Sequence, residues 1–238
     1  MDKNYFSIPM RLAYYRKLMN LNQAQMGEKL GVTQSHYSKQ ESGLKGISYQ
    51  NLKCFEKNGG DPFFLITGEY RTVGFLDQYL EETGSAEERS QLFGILAWAA
   101  GVWGTCLGTG LLTERTGKCM RLLQNYSEDL TVWENIRRVE RRSQEEMAGI
   151  FDINIKRYRK IEKGYSMPDA EILQTLYEKM QYSPLLVLDQ KKYYLDELNR
   201  VWALLQPEWR RETERLVGQA RKLIRLSEEN KKEMDGKK

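Results

Sequence analysis

The residues of this 238-residue chain that could do chemistry are amides and cations at a repeated spacing. Nucleophiles and metal ligands lack partners. His36 is the sole histidine, and alone it completes neither a metal site nor a catalytic triad. Cys54, Cys106 and Cys119 are scattered and form no CxxC pair. The segment LTERTGKC fails as a phosphate loop, because Leu112 stands where the first glycine belongs and Cys119 where a hydroxyl belongs. No enzyme, cofactor or metal is expected. What recurs is a pattern: Arg16, Gln23, Met26, Tyr37, Lys39, Glu41 and Gly43 return 121 positions later, without a gap, as Arg137, Gln144, Met147, Tyr158, Lys160, Glu162 and Gly164. Copy two also carries the cluster Lys156, Arg157, Arg159 and Lys160, although residues 127–190 hold ten basic and twelve acidic residues. Charge so concentrated suits phosphate contacts with weak sequence demand and steep salt dependence.

The elements that must position these residues are short helices. In copy one, Ser7 and Pro9 can start a helix through RLAYYRKLM. Asn22 caps QAQMGEKL, and Gly31 is placed to end it in a left-handed conformation. Thr33 caps QSHYSKQE and Gly43 ends that helix. Two short helices joined by a glycine-containing turn predict a helix-turn-helix. Gly27 lies on the inner face, where a tiny residue permits a close crossing, and Met26, Leu30, Val32 and Tyr37 fall at core positions. In copy two, TVWENIRRVERR opens, and Ser143 with Glu146 forms a capping box before QEEMAGIF. Ala148 takes the place of Gly27, and Asp152 that of Gly31. Asn154 caps IKRYRKIE, Pro168 and Asp169 open a fourth helix, and SPLLVL mirrors DPFFLI with one inserted residue.

The run NLNQAQMGEKLGVTQSHYSKQESG resembles the Cro/C1-type (XRE) helix-turn-helix of phage repressors and many bacterial regulators, and DPFFLITGE resembles the end of that domain. The likeness covers about 60 residues per copy. It implies a lambda-repressor-like domain of five helices whose third helix enters the major groove of DNA. That helix would present Gln34, Ser35, His36, Ser38 and Lys39 after the Thr33 cap. Glutamine can bond adenine bidentately, serine is tolerant, and lysine suits guanine or phosphate. By the same resemblance Gln23, and Gln144 in copy two, would clamp a backbone phosphate. Arg16 with Glu41, and Arg137 with Glu162, each 25 residues apart, would be structural salt bridges. Copy two departs from the pattern. Ile155 replaces the amide of Gln34, leaving a thymine methyl as its natural contact, and Arg142 holds a position usually apolar. Its reading set would be Gln144, Asn154, Ile155, Lys156, Arg157, Arg159 and Lys160. Copy two could alternatively keep the fold and serve as a protein-binding or dimer module.

The expected fold is all-α, in four parts: a first helix-turn-helix domain at 1–70, a helical connecting or dimerisation segment at 71–126, a second such domain at 127–190, and a C-terminal helical hairpin at 191–238. Residues 90–113 carry no charge, a length that could span a bilayer. A span would put the two copies on opposite sides of the membrane, so no membrane partner is expected. A helix buried between the copies or at a dimer interface, with Trp98 and Trp103 as anchors, is expected instead. Gly104 and Gly108 allow a close helix contact there. The hairpin follows from the 3–4 spacing of Tyr194, Leu195, Leu198, Val201 and Leu204–Leu205, and from Pro207 at the next helix start. Few cysteines and no apolar leader at the N-terminus point to the cytoplasm. The net charge of +4 permits nucleic-acid binding without arguing for it.

The leading functional expectation is a sequence-specific transcriptional regulator, a repressor, whose partner is double-stranded DNA. One chain docking both copies, or a homodimer reading through its first copies, are both open. The competing class is a protein-interaction regulator, such as an antitoxin or a partner-binding phage or mobile-element protein. RNA binding ranks lower for want of an aromatic stacking platform. No residue identifies a small-molecule or protein effector.

Overall fold

The computed structural model describes residues 7–74, 77, 95, 98, 99, 102 and 114–235. Every regular element among them is helical. The chain divides into two compact units, Met1–Arg71 with Asn125–Tyr193, and Thr72–Gln124 with Tyr194–Lys238.

The first unit contains both copies. In copy one, α1 spans Ile8–Leu18, α2 Gln23–Leu30, α3 Gln34–Glu41, α4 Tyr49–Lys57 and α5 Pro62–Thr67. After α6 (Glu114–Asn125), copy two follows as α7 Val132–Val139, α8 Gln144–Ile150, α9 Ile155–Glu162, α10 Ala170–Met180 and α11 Leu185–Leu188. The caps explain these boundaries. Asn22 and Gln25 form a capping box on α2, and Ser143 and Glu146 form one on α8. Thr33 accepts from the His36 amide, and Asn154 from the Arg157 amide. Ser7, by contrast, makes no side-chain cap on α1. Gly31 ends α2 at φ +69°, and Asp152 occupies the equivalent left-handed position at +52°.

The helix-turn-helix crossing is tight in copy one. A Cβ on Gly27 would stand 2.9 Å from the Val32 carbonyl oxygen. Copy two carries Ala148 there, and the turn hydrogen bond is looser: Ile153 to Ala148 is 3.1 Å against 2.9 Å for Val32 to Gly27. Met26, Leu30 and Tyr37 are fully buried, whereas Val32 is half-buried. Arg11 enters the core, at 5% exposure, to donate to the Leu65 and Ile66 carbonyls at 2.7 and 2.6 Å. Its charge meets the carbonyl end of α5, where a cation is favoured. Copy two has Val132 at that position.

The copies are joined directly. The Ala170 amide donates to the Ile47 carbonyl at 2.9 Å, linking the loop after α3 to the start of α10. The carboxylate of Glu171 lies over Gly46, its oxygens 3.0 and 3.1 Å from where a Cβ would be. Phe63 meets Tyr177 edge-on at 6.3 Å, and Lys192 pairs with Glu56 at 2.8 Å. A hydrophobic contact and an exposed ion pair thus frame a backbone hydrogen bond.

In the second unit, α12 (Gln190–Leu204) contributes its later turns and α13 (Pro207–Asp235) follows. Arg115 pairs with Asp196 at 2.9 Å and Glu197 at 2.5 Å, and both acids are wholly buried. Burial raises the Glu197 pKa, which Arg115 opposes. Asn199 donates to Asp77 at 2.5 Å. This charged interior was not expected from the sequence. Trp98, expected either between the copies or at a dimer interface, is 64% exposed in the single chain. The rest of that uncharged run, with Trp103, Cys106, Gly104 and Gly108, lies outside the described residues apart from three isolated positions. Among the described residues no helix is long and apolar enough to cross a membrane.

Glu171 yields a test of the seam. Although the residue is exposed at its edge, its carboxylate is covered by the loop. Burial raises its pKa, as does Asp169, while the Glu171 and Ile47 amides oppose the rise. A raised pKa favours the protonated form in the folded protein, so the wild type loses stability as pH climbs from the ordinary carboxylate value through the raised one. Glu171→Gln escapes that loss. Thermal melts at about pH 4 and about pH 7 should show wild type losing ground to the variant at the higher pH. An equal or widening wild-type advantage at neutral pH would contradict this account.

Candidate nucleic-acid interface

Three helices of copy one converge on one carboxylate. Glu41, at the end of α3, accepts from Arg16 of α1 at 2.9 Å (Nε) and 2.8 Å (Nη2). It also accepts from the Gln23 amide nitrogen, at the start of α2, at 2.6 Å. The bond to Glu41 is the main reason the Arg16 pKa is raised. Tyr37 packs beside the pair, fully buried, and burial pushes its phenol well above the usual range. The Gln23 oxygen then accepts from Gln34 at 3.2 Å. The chain Arg16–Glu41–Gln23–Gln34 therefore runs from the core to the exposed start of α3. The amide of Gln23 is oriented before any ligand arrives, and its second N–H remains available.

Copy two repeats the arrangement. Glu162, 3% exposed, accepts from Arg137 and from the Gln144 amide nitrogen, both at very short range. Thr131, capping α7, donates to the Glu162 carbonyl at 2.5 Å. The Gln144 oxygen here accepts from Arg159 at 2.9 Å, because the Gln34 position is Ile155. The Tyr158 hydroxyl reaches Glu162 at 3.4 Å, and burial raises its pKa as at Tyr37.

The remaining sequence-predicted residues fall as follows. Thr33, Gln34, Ser35 and Lys39 are exposed along α3, and His36 and Ser38 are half-buried. The His36 pKa is lowered by partial burial and then by Lys45 and Lys39, so its ring is neutral near pH 7. In α9, Asn154, Lys156, Arg157, Arg159 and Lys160 are exposed and Ile155 is half-buried. Two of these cations are already engaged. Arg157 pairs with Asp169 at 2.5 Å, and Arg159 lies 3.5 Å from Glu145. Lys156 and Lys160 have no ion-pair partner among the described residues. Arg142, half of the departure noted in copy two, reaches Glu146 at 3.9 Å on the surface.

Sequence reasoning missed the Gln23–Glu41 and Gln144–Glu162 bonds. The signal was present, since Gln23 and Glu41 keep an 18-residue separation in both copies. It also missed Asp169 as a partner of Arg157, which no local pattern announces.

A helix-turn-helix family model matches residues 12–53, from α1 into α4. Comparisons with curated proteins and with solved structures give no match. The first copy is thus similar to the Cro/C1-type helix-turn-helix, and the match supports DNA binding and transcription regulation.

The shared carboxylate predicts an asymmetric mutational response. Glu41→Ala leaves Arg16, half-buried, with the Leu21 carbonyl but without its carboxylate, and should cost ~2–4 kcal/mol in urea unfolding. Glu41→Gln keeps an acceptor and should cost clearly less. Equal losses for the two variants would show that the carboxylate only fills space.

Proposed function

We propose that this chain is a sequence-specific transcriptional repressor that reads one DNA duplex with two helix-turn-helix heads, one per copy. The observation that carries the proposal is the repetition of one network. In both copies an arginine of the first helix and a glutamine opening the second meet a glutamate ending the third. In a helix-turn-helix, that geometry presents the third helix to the major groove and the second helix's N-terminus to phosphate.

The heads would divide the work. Copy one reads bases with Gln34, Ser35, His36, Ser38 and Lys39, its cap Thr33 exposed beside them and Gln23 on phosphate. Copy two holds the backbone with Lys156, Lys160 and Gln144 beside the Asn154 cap, and Ile155 meets a thymine methyl. Arg157 and Arg159 would reach phosphate by exchanging or sharing Asp169 and Glu145. The Ile47–Ala170 bond ties the loop after α3 to the helix after α9, which supports a fixed spacing between the heads. One chain would then cover two successive major grooves, ~34 Å apart, on an asymmetric site. A homodimer would add a second such footprint rather than complete the first. Where such a site overlaps a promoter, occupancy would exclude the polymerase and so repress.

The pairing of Arg157 and Arg159 with acids favours a second reading, in which copy two binds protein rather than DNA. Selection of the full chain on random duplexes, followed by footprinting, separates the two. Two protected segments one turn apart on an asymmetric site support two heads; two segments on a palindrome, or a single segment, leave copy one alone as the reader. Gln34→Ala should weaken the best site by ~1–3 kcal/mol and relax its sequence preference. Lys156→Ala should weaken all sequences alike and reduce the salt slope by about one. Wild-type selection and affinity in both variants would remove α3 and α9 from the interface.

A further inference from the structure

The most exposed large apolar residues among those described are Leu44 at 81% and Tyr165 at 80%. They occupy the same position in the two copies, 121 residues apart. Isolated surface leucines need no explanation. A matched pair at one place in a duplicated motif does. Each residue follows the glycine that ends its recognition helix, Gly43 at φ +76° and Gly164 at +75°. Each amide is anchored back to that helix: Leu44 to the Lys39 carbonyl and Tyr165 to the Lys160 carbonyl, both at 2.8 Å. The backbone therefore holds these side chains out, and their exposure does not come from a loose loop.

Both loops run to the seam between the copies. Gly46, two residues after Leu44, lies under Glu171, and Ile47 accepts from Ala170. Met167, half exposed, stands between Tyr165 and that seam. The charge around the tips is mostly positive. Lys39, Lys45, Lys160 and Lys163 are exposed there, Asp169 is matched by Arg157, and Glu171 faces Gly46. Lys45 and Lys39 both act on His36, which places the first loop beside the exposed side of α3. When two recognition helices occupy successive major grooves on one face of B-form DNA, the protein between them faces the minor groove. Apolar side chains presented to a minor groove can enter a base step and unstack it, most cheaply at flexible pyrimidine–purine steps.

We propose that Leu44, Tyr165 and Met167 form an apolar wedge, set at the seam of the two copies, that enters the minor groove between the half-sites and opens the central base step. The wedge rests on the two-head reading above. It adds specificity at base pairs that no polar side chain touches, so a TA step at the centre is preferred to a GC step.

The test uses the full chain on a selected site carrying 2-aminopurine at the central step. Wild type should raise the fluorescence and bind the TA centre about tenfold more tightly than the GC centre. The double variant Leu44→Ser with Tyr165→Ser alters only exposed positions. It should keep the two-segment footprint while losing the fluorescence rise and most of the TA preference. A two-segment footprint with unchanged fluorescence and preference in the variant overturns the wedge alone. A single protected segment for wild type overturns the two-head reading and the wedge with it. If the variant binds DNA like wild type but fails to repress a reporter, the loops serve a protein partner and the wedge is wrong.

Discussion

In each copy a carboxylate at the end of the third helix faces little water and must find donors inside the protein. Glu41 finds Arg16 and Gln23, and Glu162 finds Arg137 and Gln144. Each donor comes from a different helix, so satisfying one charge fixes three axes relative to each other. An unsatisfied carboxylate at this depth would cost several times what a neutral contact contributes. The penalty for a wrong arrangement therefore exceeds the net gain from the right one. That asymmetry enforces geometry more than it adds stability, and geometry is what a groove-reading helix needs.

A second constraint acts between the copies. Gln40 of α3, fully buried, donates to the Gly46 carbonyl at 3.1 Å. The next residue, Ile47, accepts from Ala170 at the first turn of α10, whose cap Asp169 holds Arg157 of α9. An unbroken path of hydrogen bonds and short backbone thus leads from one third helix to the other. Asp169 does two jobs on that path, capping α10 and restraining a cation of α9. Loss of Arg157 from Asp169 to a phosphate would leave the cap in place, since different carboxylate oxygens serve the two roles.

The parts of this fold that were legible in the sequence are those set within a few residues. Asn22, Thr33, Ser143 and Asn154 cap because a short polar side chain and an amide three positions on need nothing else. Gly31 and Asp152 adopt the left-handed conformation because helix ends demand it locally. What was not legible depends on side-chain direction across long separations. The bond from Ala170 to Ile47 spans 123 residues and involves two backbone groups, which leave no mark on residue type. Arg11 reads as one more surface cation until α5 is seen to end beneath it. Trp98 reads as an apolar anchor, between the copies or at a dimer interface, because size and apolarity suggest burial, yet neither says which face of a helix it occupies. At the candidate site, exposure along α3 and α9 follows from periodicity, whereas the pairing of Arg157 and Arg159 with acids does not.

That pairing changes how the charge of α9 should be valued. Four cations within five residues suggest four phosphate contacts and a correspondingly steep salt dependence. Two of them, however, already have carboxylate neighbours, which a phosphate must displace or share. Displacing Asp169 or Glu145 from an exposed pair costs little, but it returns a negative charge to the surface facing the DNA. The net gain from those two contacts shrinks on both counts. If copy two binds DNA as proposed, its contribution should thus resemble that of two cations, Lys156 and Lys160, rather than four. Copy one, with amides and a neutral imidazole beside Lys39, adds few charges of its own. On the two-head proposal, such an interface would gain more of its selectivity from hydrogen-bonding geometry than from attraction to the backbone, and would rely on the Glu41 and Glu162 networks to hold that geometry before DNA is met.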